Sequence, residues 1–451
     1  MTKYRFALVA LVAVAILSGC VFIGDRIDQA RVRFGSLPFH VFDNAPGYVE
    51  PAQINAIDEP VNLAIAISGG GTRAAVFAAG IMENLAATPD PNRPGRSILD
   101  TCDIISGVSG GSLAAAYYSL RKPDTFADPQ ANAAFFQTFK SEMTVDFVMR
   151  GFMHYVSHPW EGAMRYYTRY KFGMTLANTF DQYLFGGSTF ADIHKRELDG
   201  RSPALIINAT SLDYGTKFIF SNLNVNRNFT VDEQRAKSAV GNLAPASDQD
   251  RMKTLAGLAA KPFMNPFGFD AIDSDISSFR LASAVSASSS YPIVPGPASL
   301  LNYKNNTYVH LADGGVNDNF GIDSVVQLYM SRLQHAKAPK RLVIIAIDAS
   351  LYPQPKKVGD PNGYLGAIAY GQRAFAFSAA RGQHFAEALY SGSSSIQLVH
   401  YRLTESPQTS KLNGPQGTYC ISETDFLTVL NAANEVSAMH RGKVEQALSG
   451  R

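Results

Sequence analysis

The chain has 451 residues, 46% of them hydrophobic and 17% charged, with 40 Lys+Arg against 38 Asp+Glu. That is globular composition with ample material for a core, long enough for one large α/β domain with insertions or for two domains. A near-neutral chain without basic runs excludes nucleic acid as an expected partner.

Residues 1–19 read as a targeting segment outside the fold. Lys3 and Arg5 form a positive end, and residues 6–17 form an apolar stretch too short for a comfortable membrane span. Leu17-Ser18-Gly19-Cys20 then resembles the lipobox of bacterial lipoproteins, in which the cysteine becomes the lipidated N-terminus after cleavage. An ordinary signal peptide or a short membrane anchor is the alternative. The resemblance implies a lipid-anchored protein of the bacterial cell envelope. Val21 stands where an aspartate would resemble the inner-membrane retention signal, so the outer membrane is the expected location. Each buried methylene contributes about 0.8 kcal/mol, so several acyl chains would hold the protein almost permanently. Residues 20–60 mix charges, Pro and Gly without a period and read as a tether that docks partly on the body.

The first buried strand is 61–67, an almost uninterrupted apolar run. Ser68-Gly69-Gly70-Gly71-Thr72-Arg73 follows, and then a helix over about 74–87. A glycine-rich loop joining a strand to a helix start is a natural anion site. The glycines and Ala74 also satisfy the dinucleotide fingerprint, which needs an acid about 20 residues on, at the next strand end. Asp90 is the nearest acid and lies in a proline-rich loop instead. An oxyanion hole is the better reading, because glycines let backbone N–H groups approach a tetrahedral intermediate unobstructed.

The stretch 103–112 organises the chain. Ile104 and Ile105 lie in a buried strand, Gly107-Val108-Ser109-Gly110-Gly111 fits the G-x-S-x-G nucleophile elbow, and a helix over 113–120 follows. Side chains beside the serine would clash in so sharp a turn, which accounts for Gly107, Gly110 and Gly111. The helix start aims free N–H groups and its positive dipole end at Ser109, favouring an oxyanion there. A plain Gly/Ser turn would look the same in isolation.

An insertion over about 123–200 is rich in aromatics, among them Phe135, Phe136, Phe139, Phe147, Phe152 and Trp160. A cap that takes up acyl chains and a helical subdomain with its own core both fit. His154 and His158 are four apart but have no acidic or Cys partner nearby, so no metal is expected. Residues 204–210 form another buried strand, with 217–220 returning beside it, and 222–275 read as a polar surface excursion. The small-residue helix over 281–290 suits close packing on the sheet or a pocket wall. A strand over 308–312 feeds Asp313-Gly314-Gly315, which puts a carboxylate at a strand end; period two sets Asp313 and His310 on opposite faces. Asp and Gly would serve a plain turn equally well. A helix over 325–334 and a strand over 342–348 follow, and Asp348 is a rival carboxylate. The final hundred residues read as helical near 365–390 and 423–448. Export permits a Cys102–Cys420 disulfide, but a buried thiol at Cys102 is the simpler reading.

Apolar strands alternating with helices imply a three-layer α/β fold, a largely parallel sheet covered on both faces. Active sites in such folds lie at the carboxyl ends of the strands. The order Gly69-Gly70-Gly71-Thr72-Arg73, then the elbow, then Asp313-Gly314-Gly315 resembles the patatin-like phospholipase family over roughly 61–348. That resemblance implies a catalytic body at 61–350 with helical insertions, continued by a helical extension over 351–451. It implies hydrolysis of lipid acyl esters by a Ser–Asp dyad without a triad histidine. Carried over by position, Ser109 is the nucleophile and Asp313 its base. Gly69, Gly70 and Gly71, with Arg73 at the family's basic position, form the oxyanion hole. Ala74 departs from the family's usual glycine at the helix start. No cofactor or metal is implied, and membrane lipids are the expected substrate and anchor surface. The alternative is a non-catalytic lipid-binding or scaffolding lipoprotein on the same fold.

Overall fold

A computed structural model of the chain describes residues 40–54, 59–157, 172–291, 296–351, 382, 388–390, 392–412 and 418–450. Cys20, the tether before residue 40, His158, Trp160 and most of the helix expected near 365–390 lie outside these residues. The strands are β1 (His40–Val41), β2 (Ala45–Pro46), β3 (Val61–Ile67), β4 (Cys102–Val108), β5 (Ala204–Ser211), β6 (Thr216–Phe220), β7 (Ser274–Asp275), β8 (Ala298–Asn302), β9 (Thr307–Asp313), β10 (Arg341–Asp348) and β11 (Ile396–Arg402). The helices used below are α1 (Gly71–Ala86), α2 (Gly110–Arg121), α3 (Pro129–Glu142), α4 (Phe147–Ser157), α5 (Phe172–Phe180), α6 (Phe190–Leu198), α7 (Val225–Phe229), α8 (Glu233–Leu243), α9 (Gln249–Ala259), α10 (Leu281–Ser288), α11 (Ile322–Leu333) and α12 (Glu423–Ser449).

The main sheet runs β1-β8-β9-β5-β4-β3-β10-β11, with β6 also on β5. From β5 through β4, β3 and β10 to β11 every pairing is parallel. The runs 61–67, 104–108, 204–209 and 342–347 are apolar almost throughout because both faces of these strands are covered. Side chains alternate across the pleat. Leu63, Ile65 and Ile67 meet Phe77 and Ile81 of α1, Leu113 of α2, Val285 of α10 and Val436 of α12. Ala64 and Ala66 face the other way, into a second core with Val325 and Leu328 of α11, Val240 of α8 and Met252 of α9. The three-layer expectation therefore holds, with helices on both faces of a mostly parallel sheet.

One junction in this sheet sets up the site. β6 pairs with residues 207–211 of β5 and occupies one edge of it. β4 pairs with 204–208 and β9 with 209–211, so both must share the other edge, end to end. β4 is parallel to β5 and β9 antiparallel, so their carboxyl ends run head-on into each other. Val108 stands opposite Asn208, and Asp313 opposite Ala209. The sequence reading put Asp313 at a strand end in a largely parallel sheet, without a direction for that strand. It reaches the crevice from an antiparallel one.

Three other expectations change. The C-terminal extension is not purely helical, since β11 joins the sheet beside β10. Gln397, His400 and Arg402 interrupt its apolar pattern, as an edge strand tolerates. The stretch 222–275 is more than a surface excursion, because α8 and α9 cover the second face with Ala236, Val240, Met252 and Leu255. In the insertion, Phe126, Phe135, Phe136 and Phe139 pack on one another and on Tyr117 and Tyr118 of α2 at ring separations of 4.7 to 6.5 Å, and so join the main core rather than form one of their own. Phe147 and Phe180 instead run toward Tyr419. Helix α12 begins where the Ser422 side chain accepts from the Asp425 N–H and ends at Gly450, whose φ is 74°. Cys102 and Cys420 are free thiols, and Cys102 is buried. Among the described residues no helix is long and apolar enough to cross a membrane.

Candidate active site

Ser109 is the turn between β4 and α2, with φ 51° and ψ −123°. A non-glycine residue in that region costs about 1–3 kcal/mol and persists only when its surroundings over-determine it. Here they do. A Cβ on Gly107 would lie 2.6 Å from Ser112 Cα, one on Gly110 2.0 Å from Gly71 O, and one on Gly111 2.4 Å from Ile67 O. The three elbow glycines are thus required by backbone-on-backbone packing, as the motif implied. The Ser109 N–H donates to Ser288 Oγ at 2.8 Å, and Ser288 Oγ donates onward to Asn208 O at 2.6 Å. The small residues at the end of α10 therefore line Ser109 as well as pack on the sheet.

Asp313 ends β9, held by its N–H on Ser290 O at 2.8 Å and by Thr210 Oγ1 on its carbonyl at 2.9 Å. The Gly315 N–H donates to Asp313 Oδ1 at 2.8 Å, and a Cβ on Gly314 would lie 2.3 Å from Asn208 O. The Asp-Gly-Gly segment thus works both as a turn and as a support for the carboxylate. Burial raises Asp313 to about 6, against the opposing hydrogen bonds from the Gly315 N–H and the Ser109 side chain. Ser109 is 7% and Asp313 5% exposed, so bulk water is largely kept from the pair. The rival Asp348 turns away, accepting from the Ser350 N–H at 2.8 Å with His400 3.5 Å distant. His310, on the opposite face of β9, sits on Asp213 with 3.0 Å between Nδ1 and Oδ1.

The glycine loop departs from expectation in two places. The Gly69 N–H donates to Asn319 O at 3.0 Å, so it is not available to an oxyanion. Its lack of a side chain is what matters, since a Cβ there would lie 2.7 Å from Asn319 Oδ1 and 3.5 Å from Ser109 Cβ. Arg73 is buried and points to the end of the neighbouring strand β10, with Nε on Ala349 O at 3.1 Å. Burial lowers it to about 10, and the field of Asp348 and Asp425 works against that fall. Arg73 ties α1 to the end of β10 rather than facing Ser109. Among the described residues, no acceptor takes the Gly70, Gly71 or Gly110 N–H. Gly70 and Gly71 have φ of 144° and 62°, which only glycine adopts readily. Ala74 is accommodated because a Cβ at Gly70 is absent; it would lie 3.2 Å from Ala74 Cβ.

Motifs did not point to three further contributors. Asn208 donates to Ser106 Oγ and Gly107 O at 2.9 and 3.0 Å, bracing the strand under the elbow. Asp318 accepts the N–H groups of Phe320, Gly321 and Asp323 and so shapes the loop that presents Asn319. Burial, and then the charge of Asp323, push the Asp318 carboxyl up while Lys217 opposes the rise. Tyr419 places its hydroxyl 3.3 Å from Ser109 Oγ. The only signal for Tyr419 in the sequence is its place in a linker between β11 and α12.

A strained serine close to a buried carboxylate, with the Gly70, Gly71 and Gly110 N–H groups taken by no acceptor among the described residues, is what an acyl-transfer site requires. A family model for patatin-like phospholipase matches residues 65–326. No curated protein matches the chain. Among solved structures, the chain is similar to human GIVD cytosolic phospholipase A2, with a TM-score of 0.50 and 12% identity. That match covers 87% of this chain and 60% of the other, so this chain spans less than two thirds of that protein. Two structures of the same human protein with methyl gamma-linolenyl fluorophosphonate, one also with terbium chloride, match at TM-scores of 0.42 and identities of 13% and 14%. Those matches cover 87% of this chain and 59% or 60% of the other. On the family match, which takes in the glycine loop, the elbow and Asp313, the chain belongs to the patatin-like phospholipase family, hydrolases of lipid acyl esters.

Proposed function

We propose that the chain is a serine acyl hydrolase that cleaves lipid acyl esters with a Ser109–Asp313 dyad. The observation that carries this reading is the buried Asp313 carboxylate close to the side chain of the strained Ser109. Asp313 takes the Ser109 proton as Oγ attacks the ester carbonyl and returns it to the departing alcohol. The oxyanion rests on the Gly70, Gly71 and Gly110 N–H groups, where removing one key donor costs roughly 3–4 kcal/mol. Water then opens the acyl-enzyme with Asp313 again as base. A fluorophosphonate probe is expected to label the parent on Ser109, whereas Ser109→Ala takes no label and loses ester hydrolysis while keeping its circular dichroism. Equal turnover by Ser109→Ala would remove this reading.

The same proposal places the protein on a bacterial membrane through Cys20, on the strength of Leu17-Ser18-Gly19-Cys20. Cys20→Ala is expected to stop processing or to release the protein from membranes on fractionation. Unchanged processing and membrane retention would speak for another mode of attachment.

A further inference from the structure

The hydroxyl on Ser109 comes from Tyr419, outside the residues that the family model matches. Its hydrogen-bond partners fix where protons can stand. Ser289 Oγ donates to Val285 O at 2.7 Å, so its oxygen is left to accept, and the Tyr419 hydroxyl donates to it. With its one proton on Ser289, the Tyr419 oxygen faces Ser109 as an acceptor. Ser109 also has one proton, for which the Tyr419 oxygen and the carboxylate of Asp313, the proposed base, are the acceptors. The resting site thus offers the Ser109 proton two acceptors and gives Ser109 Oγ no donor from Tyr419.

That mismatch reverses during turnover. When Oγ carries negative charge it can only accept, and a small rotation about the Tyr419 C–O bond turns the phenol proton from Ser289 to Ser109. The rest of the residue is held still. The Tyr419 carbonyl accepts the Phe147 N–H at 3.0 Å, the Thr418 carbonyl accepts the Thr72 N–H at 2.9 Å, and the Tyr419 ring lies 5.2 Å from that of Phe180. A donor fixed in place before charge appears costs little reorganisation when it is needed.

We propose that Tyr419 is a third catalytic residue, whose hydroxyl rests on Ser289 and turns to donate to Ser109 Oγ as that atom leaves the acyl group. The proposal rests on Ser109 being the nucleophile. In that step water gives its proton to Asp313 and adds to the acyl carbon, the C–Oγ bond breaks, and Oγ takes the proton back from Asp313. Tyr419 donates a hydrogen bond throughout and keeps its own proton. Ser289 only takes the Tyr419 proton at rest and has no part in the step.

The test is the pre-steady-state hydrolysis of a p-nitrophenyl acyl ester by the full chain. Tyr419→Phe keeps the ring and removes only the hydroxyl. It is expected to keep a full nitrophenol burst while its steady-state rate falls about 10- to 100-fold, the size of one hydrogen bond to a charged group. Intact mass should then show an acyl adduct accumulating on the enzyme. Ser289→Ala removes the resting acceptor alone and is expected to turn over like the parent. Parental turnover by Tyr419→Phe, a burst that falls in proportion to the steady state, or a Ser289→Ala loss equal to that of Tyr419→Phe would each overturn the proposal. If Tyr419→Phe does not fold, Ser289→Ala carries the test, and a tenfold slower deacylation in it refutes the donor role. A parent that takes neither adduct nor fluorophosphonate overturns the dyad and this proposal together. A labelled parent with unaltered Tyr419→Phe turnover overturns this proposal alone.

Discussion

Asp313→Asn is expected to abolish ester turnover and, at neutral pH, to leave the fold more stable than the parent. Turnover falls because an amide accepts the hydrogen bond from Ser109 but not its proton; losing a positioned base costs roughly 10²- to 10⁴-fold. Stability rises because burial has lifted the Asp313 carboxyl from its ordinary 3.8 to about 6. A carboxyl harder to ionise folded than unfolded holds its proton more tightly in the native state. The parent therefore loses stability as pH climbs from about 4 through 6, and above that carries a penalty of about 3 kcal/mol. Asparagine escapes the penalty. Urea unfolding at pH 7.5 should favour the variant by that order, and the gap should close near pH 4. Equal stabilities at pH 7.5, or an active variant, would contradict a buried ionised base. The same rise sets the acid limb of kcat/KM near pH 6, with activity lost as Asp313 protonates. That is close to an ordinary histidine at about 6.5, so substitution and not the pH profile separates the two kinds of base.

Gly110→Ala should be nearly as severe, for a reason unrelated to proton transfer. Its Cβ would lie 2.0 Å from Gly71 O and 2.6 Å from Gly71 Cα. Neither neighbour is a flexible side chain, so the Gly70–Gly71 loop must retreat from Ser109. The proposed oxyanion donors then come apart, and kcat is expected to fall roughly 10²- to 10³-fold, the cost of losing one such donor. Gly442→Ala is the control, because its Cβ on α12 meets nothing within 4 Å. Steady-state kinetics on a short soluble ester checks both. Full activity in Gly110→Ala would mean that the two loops do not act together.

The parts of this site that could be read in the sequence are those where backbone geometry dictates residue type over a few positions. Gly107, Gly110 and Gly111 announce a turn that admits no side chain, and Asp313-Gly314-Gly315 announces a carboxylate on a tight bend. The central strands were legible because burial on both faces demands uninterrupted apolar runs. What stayed hidden depends on partners distant in the chain. The direction of β9 leaves no mark in its alternation. The hydrogen bonds that take Gly69 to Asn319 and Arg73 to Ala349 cannot be inferred from motif position. Strand β11 reads as polar because an edge strand has one open side. Tyr419 carries no pattern, since its role lies in where a linker crosses the molecule.

The head-on meeting of β4 and β9 has a consequence for how this site tolerates change. Asn208 and Ala209 are consecutive residues, and they set the places of Val108 and Asp313. The gap between Ser109 and Asp313 is therefore measured off by a single strand, at about 3.3 Å per residue, and not by the long chain that connects them. Loops and whole helices between the two can lengthen or shorten while that ruler stays fixed. A slip of β9 by one residue along β5, by contrast, would move the carboxylate a full notch and turn it to the opposite face. The proposed dyad has no intermediate settings: the two strand ends are either in register, with the carboxylate near the serine, or out of it with the carboxylate turned away.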